Sequence, residues 1–269
     1  MFINTNVGAM NAHRNLTSNN GAMNKTMEKL SSGYRINRAA DDAAGLAISE
    51  KMRYQINGMN QAQRNAQDGI SLIQTAEGAL TETHAMLQRI NTLANQSKNG
   101  TYSSSDRTKL NLEVTQLVSE INNIATGTKF NGISLLASAG SITFQTGVNN
   151  TDTISVATTR MTASAIGLGT LSISSVAAAS TAIASVATAI ETVSTQRATF
   201  GAVQNRLEHT VNNLGVNKEN LSAAHSRIRD ADMAAEMTNF TKNQILVQAG
   251  TSMLAQANSV PQNVLKLLG

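Results

Sequence analysis

The chain has 269 residues, enough for one or two domains with a sizeable core, yet aromatics are only 3%, charged residues 14%, proline occurs once, and Trp and Cys are absent. The missing cysteines exclude a disulfide scaffold, a thiolate metal site and a thiol nucleophile. A net charge of +4 arises from 21 basic residues spread singly among 17 acidic ones, which is a solvated surface and not the clustered cationic stripe of a nucleic-acid binder.

Ala, Leu, Ile, Val and 11 Met supply most of the 41% hydrophobic content, a composition suited to helix-on-helix seams. No stretch approaches the roughly 18 consecutive apolar residues of a membrane span. The opening Met1 to Asn6 has neither a basic nor an apolar signal region, so no cleaved secretory signal is expected.

Apolar residues recur at helical spacing from the start of the chain. Leu16, Met23, Met27 and Leu30 form a first stripe, and Gly33 offers the left-handed residue that ends it. Ile48, Met52, Ile56 and Met59 continue on a second helix. Leu72, Ala76, Ala79, Met86, Ile90 and Leu93 then keep the rhythm for about three heptads. The cluster Asn99-Gly100-Thr101-Tyr102-Ser103-Ser104 predicts a chain reversal. A third helix follows, carrying Leu110, Val114, Leu117, Ile121 and Ile124, with Ser105 and Asp106 expected at its cap. The two helices flanking the reversal should therefore form an antiparallel hairpin.

Composition then changes: from Ile133 to Ile190 the only ionisable residues are Asp152 and Arg160. Ile142 to Thr146 and Thr153 to Val156 are β-branched and separated by turn formers, which predicts one β-hairpin. A helix is expected from about Ser175. Its later part carries Leu207, Val211, Leu214, Leu221 and Ile228 in heptad phase, with Lys218 and His225 as polar seam residues. The last stretch, Met233 to Leu268, is apolar and nearly uncharged, with Met237, Phe240, Ile245, Leu254 and Val264. It is too apolar on one side to stand alone in water. Apolar faces at both ends of the chain favour association with further copies.

Chemistry is sparse. His13, His84, His209 and His225 stand singly without a ligand partner, and Asp41-Asp42 is expected to favour the dipole of the helix it precedes. There is no G-x-S-x-G, no phosphate loop and no full dinucleotide fingerprint, so neither an enzyme nor a cofactor is expected.

Several strings are specific. Glu28 to Asn37, Asp41 to Ser49, Gln67 to Leu80 and Phe130-Asn131-Gly132 closely resemble the N-terminal signature of bacterial flagellins. Gln204 to Thr210, Ser226 to Asp232, Leu254 to Asn258 and Pro261 to Leu265 are similar to the C-terminal signature. The resemblance covers the chain apart from about 140–190 and is nearest to the short flagellins of Bacillus-like bacteria, without large outer domains.

The resemblance implies a mainly α fold of long antiparallel helices in a coiled-coil-like bundle with a small β-hairpin near 142–156. It implies an inner, channel-lining domain from 1–43 with 229–269, and an outer domain from 44–228. It implies an extracellular structural subunit that self-assembles into the flagellar filament used for swimming, with the inner core packed by Leu16, Met23, Met27, Leu30, Met253, Leu254, Val264, Leu265, Leu267 and Leu268. The implied partners are further copies in an open helical homopolymer, the flagellar cap and hook-associated proteins, and an export chaperone on the C-terminal helix during type III export. A host flagellin-sensing Toll-like receptor is a further implied partner, with Arg89, Leu93 and Glu113 as its contact. The alternatives are a hook-filament junction protein and, from a different class, a basic helical nucleic-acid-binding protein.

Overall fold

A computed structural model of the chain describes the backbone of residues 5–268 and the side chains of residues 5–260. Five helices appear in order: α1 Val7–Ser32, α2 Ala43–Lys98, α3 Ser104–Gly127, α4 Val176–Arg229 and α5 Met233–Leu268. Between α3 and α4 lie two antiparallel strand pairs, β1 Lys129–Phe130 with β2 Ile133–Ser134, and β3 Gly140–Gln145 with β4 Thr153–Thr158. The chain divides into two compact units, Met1–Ile56 with Glu219–Gly269, and Asn57–Lys218, so α2 and α4 contribute to both.

Side-chain chemistry sets the helix ends. Asn6 caps α1 by accepting the Ala9 N–H, and α1 ends at Gly33, whose φ of 74° lies where side chains other than glycine's are strained. Asp42 accepts from the Gly45 N–H at the start of α2. At its far end Arg107 donates to the carbonyls of Ser97 and Asn99, which no helical N–H satisfies. The cap of α3 is Ser103 and not Ser105: the Ser103 hydroxyl and the Asp106 carboxylate form a reciprocal capping box. Those hydrogen bonds hold the Asp106 carboxyl below the usual carboxylate range. Ser175 and Asp232 cap α4 and α5.

The larger unit is a bundle in which α2 runs antiparallel to both α3 and α4. Arg89 pairs with Glu113 while Arg107 reaches Ser97, and along the other seam Lys218 meets Gln63 while Arg197 meets Glu77. Buried positions on α2 step through Ala62, Ala66, Gly69, Ile73, Ala76, Leu80, Thr83, Leu87, Ile90, Ala94 and Ser97 in unbroken alternation of four and three. The facing strip of α4 steps likewise through Ala179, Ala182, Val186, Ala189, Val193, Gln196, Phe200, Val203 and Leu207.

An 18-residue window of α4 reaches a mean hydropathy of 1.5, long and apolar enough by composition to cross a membrane. That corrects the expectation drawn from runs of apolar residues. The Ala and Val of this strip face the bundle core, and Ser and Thr interrupt them on the outside.

The β3–β4 hairpin spans the predicted region, with Ile154, Val156 and Thr158 turned inward. It lies on α2, where the Asn65 amide donates to the Gln145 carbonyl. A Cβ on Gly69 would sit 3.1 Å from the Phe144 ring, so the absence of a side chain there lets the hairpin approach. The β1–β2 turn is a second small hairpin built on Asn131 and Gly132, both at positive φ.

Candidate self-association surface

In the smaller unit α1 and α5 pair antiparallel. Lys29 meets Glu236, Thr26 meets Asn243, Leu16 packs on Gly250, and the Asn6 amide donates to the Ala257 carbonyl. The seam on α1 runs through Ala9, Ala12, Leu16, Asn19, Met23, Thr26 and Leu30, and on α5 through Glu236, Phe240, Asn243, Val247, Gly250, Leu254 and Ala257. Every one of these is half-buried except Thr26, which is buried. The Thr26–Asn243 contact places a polar pair in the seam, a device that fixes register at some cost in stability.

Two helices can bury only one stripe each. The remaining apolar residues stay open to solvent: Val7, Met10 and Met27 on α1, and Met233, Met237, Ile245, Leu246, Met253 and Val260 on α5, with exposures from 38% to 65%. By the 100° advance per residue of an α-helix, Ile245 lies opposite the seam, and Leu246, Met253 and Val260, seven residues apart, run along its flank. There Thr238, Thr241, Lys242, Ile245 and Leu246 line an open groove with no carboxylate.

The sequence-predicted packing residues therefore divide. Leu16, Met23, Leu30 and Leu254 fall in the α1–α5 seam, whereas Met27 and Met253 point outward at 43% and 65% exposure. Val264, Leu265, Leu267 and Leu268 lie outside the residues whose side chains are described.

A joint that sequence reasoning missed closes this unit. Tyr34 and Asp230 form an isolated antiparallel bridge, the Arg35 N–H donates to the Arg229 carbonyl at 2.7 Å, and the Ala231 N–H donates to the Gly33 carbonyl at 2.9 Å. The Arg35 guanidinium adds a bond to the Ile228 carbonyl. Arg229 donates to Glu50 and lays its guanidinium 4.9 Å from the centre of the Tyr34 ring. The hydrogen bond from Arg229 holds the Glu50 carboxyl below its ordinary value. The adjacent Asp41 accepts backbone N–H groups of Arg38 and Asn37, which likewise lowers its pKa. Asp41 thus ties down the loop between α1 and α2, and Asp42 starts α2.

On the larger unit, Arg89 and Glu113 join α2 to α3 through a 2.7 Å bond, both side chains about half exposed. Glu113 stabilises the charged guanidinium of Arg89, as solvent-screened pairs do. Leu93 lies one helical turn from Arg89 but is 1% exposed, packed in the bundle core. The three residues are neighbours, and two of them form an accessible surface.

Among the described residues no cluster of three His, Asp or Glu could hold a metal. Two family models match the chain: the bacterial flagellin N-terminal helical region over residues 3–141 and the C-terminal helical region over residues 183–268. The flagellin of Bacillus subtilis is 52% identical, and that of Halalkalibacterium halodurans 54%, each over the full length of both chains. Among solved structures, Bacillus cereus flagellin superposes with a TM-score of 0.52 at 38% identity, covering 56% of this chain and 88% of that one. The seam pairing the chain's two ends, the bundle of α2, α3 and α4, and these matches over nearly the whole sequence converge: the chain belongs to the bacterial flagellin family.

Proposed function

We propose that copies of this chain polymerise through the apolar faces that α1 and α5 leave open. As a flagellin the chain is a structural subunit of the extracellular flagellar filament. The observation that carries the mode of assembly is the exposed apolar surface of Ile245, Leu246, Met253 and Val260, outside a seam that is already occupied. Such a face is covered in water only by another apolar surface. In this reading 1–43 with 229–269 form the inner, channel-lining domain, 44–228 the outer one, and the role is mechanical, without an active site. Cap and hook-associated proteins would meet the same faces at the filament's ends. An export chaperone would shield α5, whose apolar side has no cover before assembly.

Seeded assembly tests the proposal. Filament seeds and a kosmotropic salt, which strengthens apolar burial, should turn purified monomer into long tubes of uniform width in electron micrographs. A chain that only decorates seed ends would instead be a junction protein, and a chain that binds no seed would overturn the assembly mode.

The same reading places the flagellin-sensing receptor on the Arg89–Glu113 surface, with Leu93 supporting it from beneath. Arg89→Ala should reduce receptor signalling in a reporter cell while helicity and Tm stay at the parent's values. An unchanged response would remove this surface from the contact.

A further inference from the structure

The exposed methionines of the described residues are all in one unit. Met10, Met27, Met233, Met237 and Met253 are 43% to 65% exposed and sit on α1 and α5. In the larger unit Met59 and Met86 are half-buried and Met161 is 1% exposed. The antiparallel register that joins Lys29 to Glu236 and Leu16 to Gly250 brings Met27 level with Met237 and Met10 level with Met253 along the pair. Leu, Ile or Val would cover the same apolar area; only methionine carries a nucleophilic thioether.

We propose that these five methionines are oxidation sites of the unassembled chain, whose conversion to sulfoxide by hydrogen peroxide or hypochlorous acid makes the chain unable to assemble. This rests on the assembly reading above. With peroxide, a sulfur lone pair attacks one peroxide oxygen and the O–O bond breaks. Sulfur is oxidised by two electrons to the sulfoxide, and the peroxide is reduced, its second oxygen leaving as water. The product replaces an apolar side-chain terminus with a strong hydrogen-bond acceptor. Burying that acceptor between subunits without a donor is unfavourable, and the Thr238 and Thr241 hydroxyls of the α5 groove already donate to the Ala234 and Met237 carbonyls. Incorporation into a filament covers the same sulfurs, so susceptibility belongs to the interval before assembly. The reaction is reversible by methionine sulfoxide reductases, which would restore competence.

The test uses purified full-length monomer treated with hydrogen peroxide over time, with peptide mass mapping of the gain of one oxygen at each site. Met10, Met27, Met233, Met237 and Met253 should be modified severalfold faster than Met161, and protected when the same dose is given to preformed filaments. Oxidised monomer should lose seeded elongation, and a sulfoxide reductase should restore it. The variant M10L/M27L/M233L/M237L/M253L, measured against its own untreated rate, should lose no elongation after peroxide. The inference is overturned if Met161 oxidises in step with the five, if fully oxidised chain elongates at the untreated rate, or if the leucine variant is as peroxide-sensitive as its parent. An untreated chain that fails to elongate seeds overturns the assembly reading itself and the assembly consequence drawn here, whereas the order of site reactivity is read from the monomer alone.

Discussion

Ile245→Lys should abolish elongation at concentrations where the parent chain polymerises, while leaving the monomer's helicity and melting temperature unchanged. Ile245 is 59% exposed, lies opposite the α1–α5 seam, and lines a groove whose only charge is Lys242. The substitution removes no buried contact within the chain, and lysine is at least as good a helix former as isoleucine. Once a neighbouring subunit covers the groove, a second ammonium must be desolvated with no carboxylate among the lining residues. A penalty of about 3 kcal/mol per subunit, at the low end for an unpaired buried charge, raises the critical concentration roughly a hundredfold. Sedimentation of seeded reactions measures that concentration directly. A variant that elongates at the parent's critical concentration would show that this groove stays open to water in the polymer.

The helices were legible because their seams repeat. Four-three alternation on α2 and α4 persists for many turns, and a pattern that long has few competing explanations. The hairpin at β3 and β4 was legible from β-branched residues flanking turn formers, and the end of α1 from Gly33. The α3 cap fell two residues from its expected place because three consecutive serines offer similar hydroxyls. Only Ser103 has an acid at the third helical position, the spacing a capping box requires. The β1–β2 hairpin had its signal in plain view, Asn131-Gly132 between Phe130 and Ile133, but a two-residue strand has no periodicity to announce it.

The surface residues divide along a different line. Heptad spacing identifies a stripe but not which neighbour covers it, so Met23 and Met27, one helical turn apart, are equivalent by spacing although one enters the seam and the other faces out. The joint was illegible for a related reason. Arg35 and Arg229 are 194 residues apart in the chain, and their contact depends on two helix breaks arriving at the same level. Nothing local in either segment encodes that. The matching signature strings implied that the two chain ends lie together, and the carbonyl–amide bonds between 33–35 and 229–231 give that pairing its geometry.

Phe200→Ala is expected to destabilise the larger unit by about 3–5 kcal/mol, the usual cost of emptying a fully buried phenylalanine site. Phe200 is 2% exposed, and the α4 strip around it is built largely from Ala and Val, which cannot swell to refill the space. For a unit of this size each kcal/mol lowers Tm by roughly 2–4 °C, so calorimetry should record a fall of about 6–20 °C. The effect separates stability from assembly. Phe200 belongs to the core of Asn57–Lys218, whereas the open faces of α1 and α5 belong to the other unit. Well below the new Tm, the variant should still add to seeds with near-parent critical concentration, and its filaments should dissociate at the lower temperature at which the bundle melts. A Tm within about 2 °C of the parent's would overturn the burial of Phe200 in this core, because the transfer of the ring's apolar surface is worth more than that shift even where the bundle closes around the missing ring.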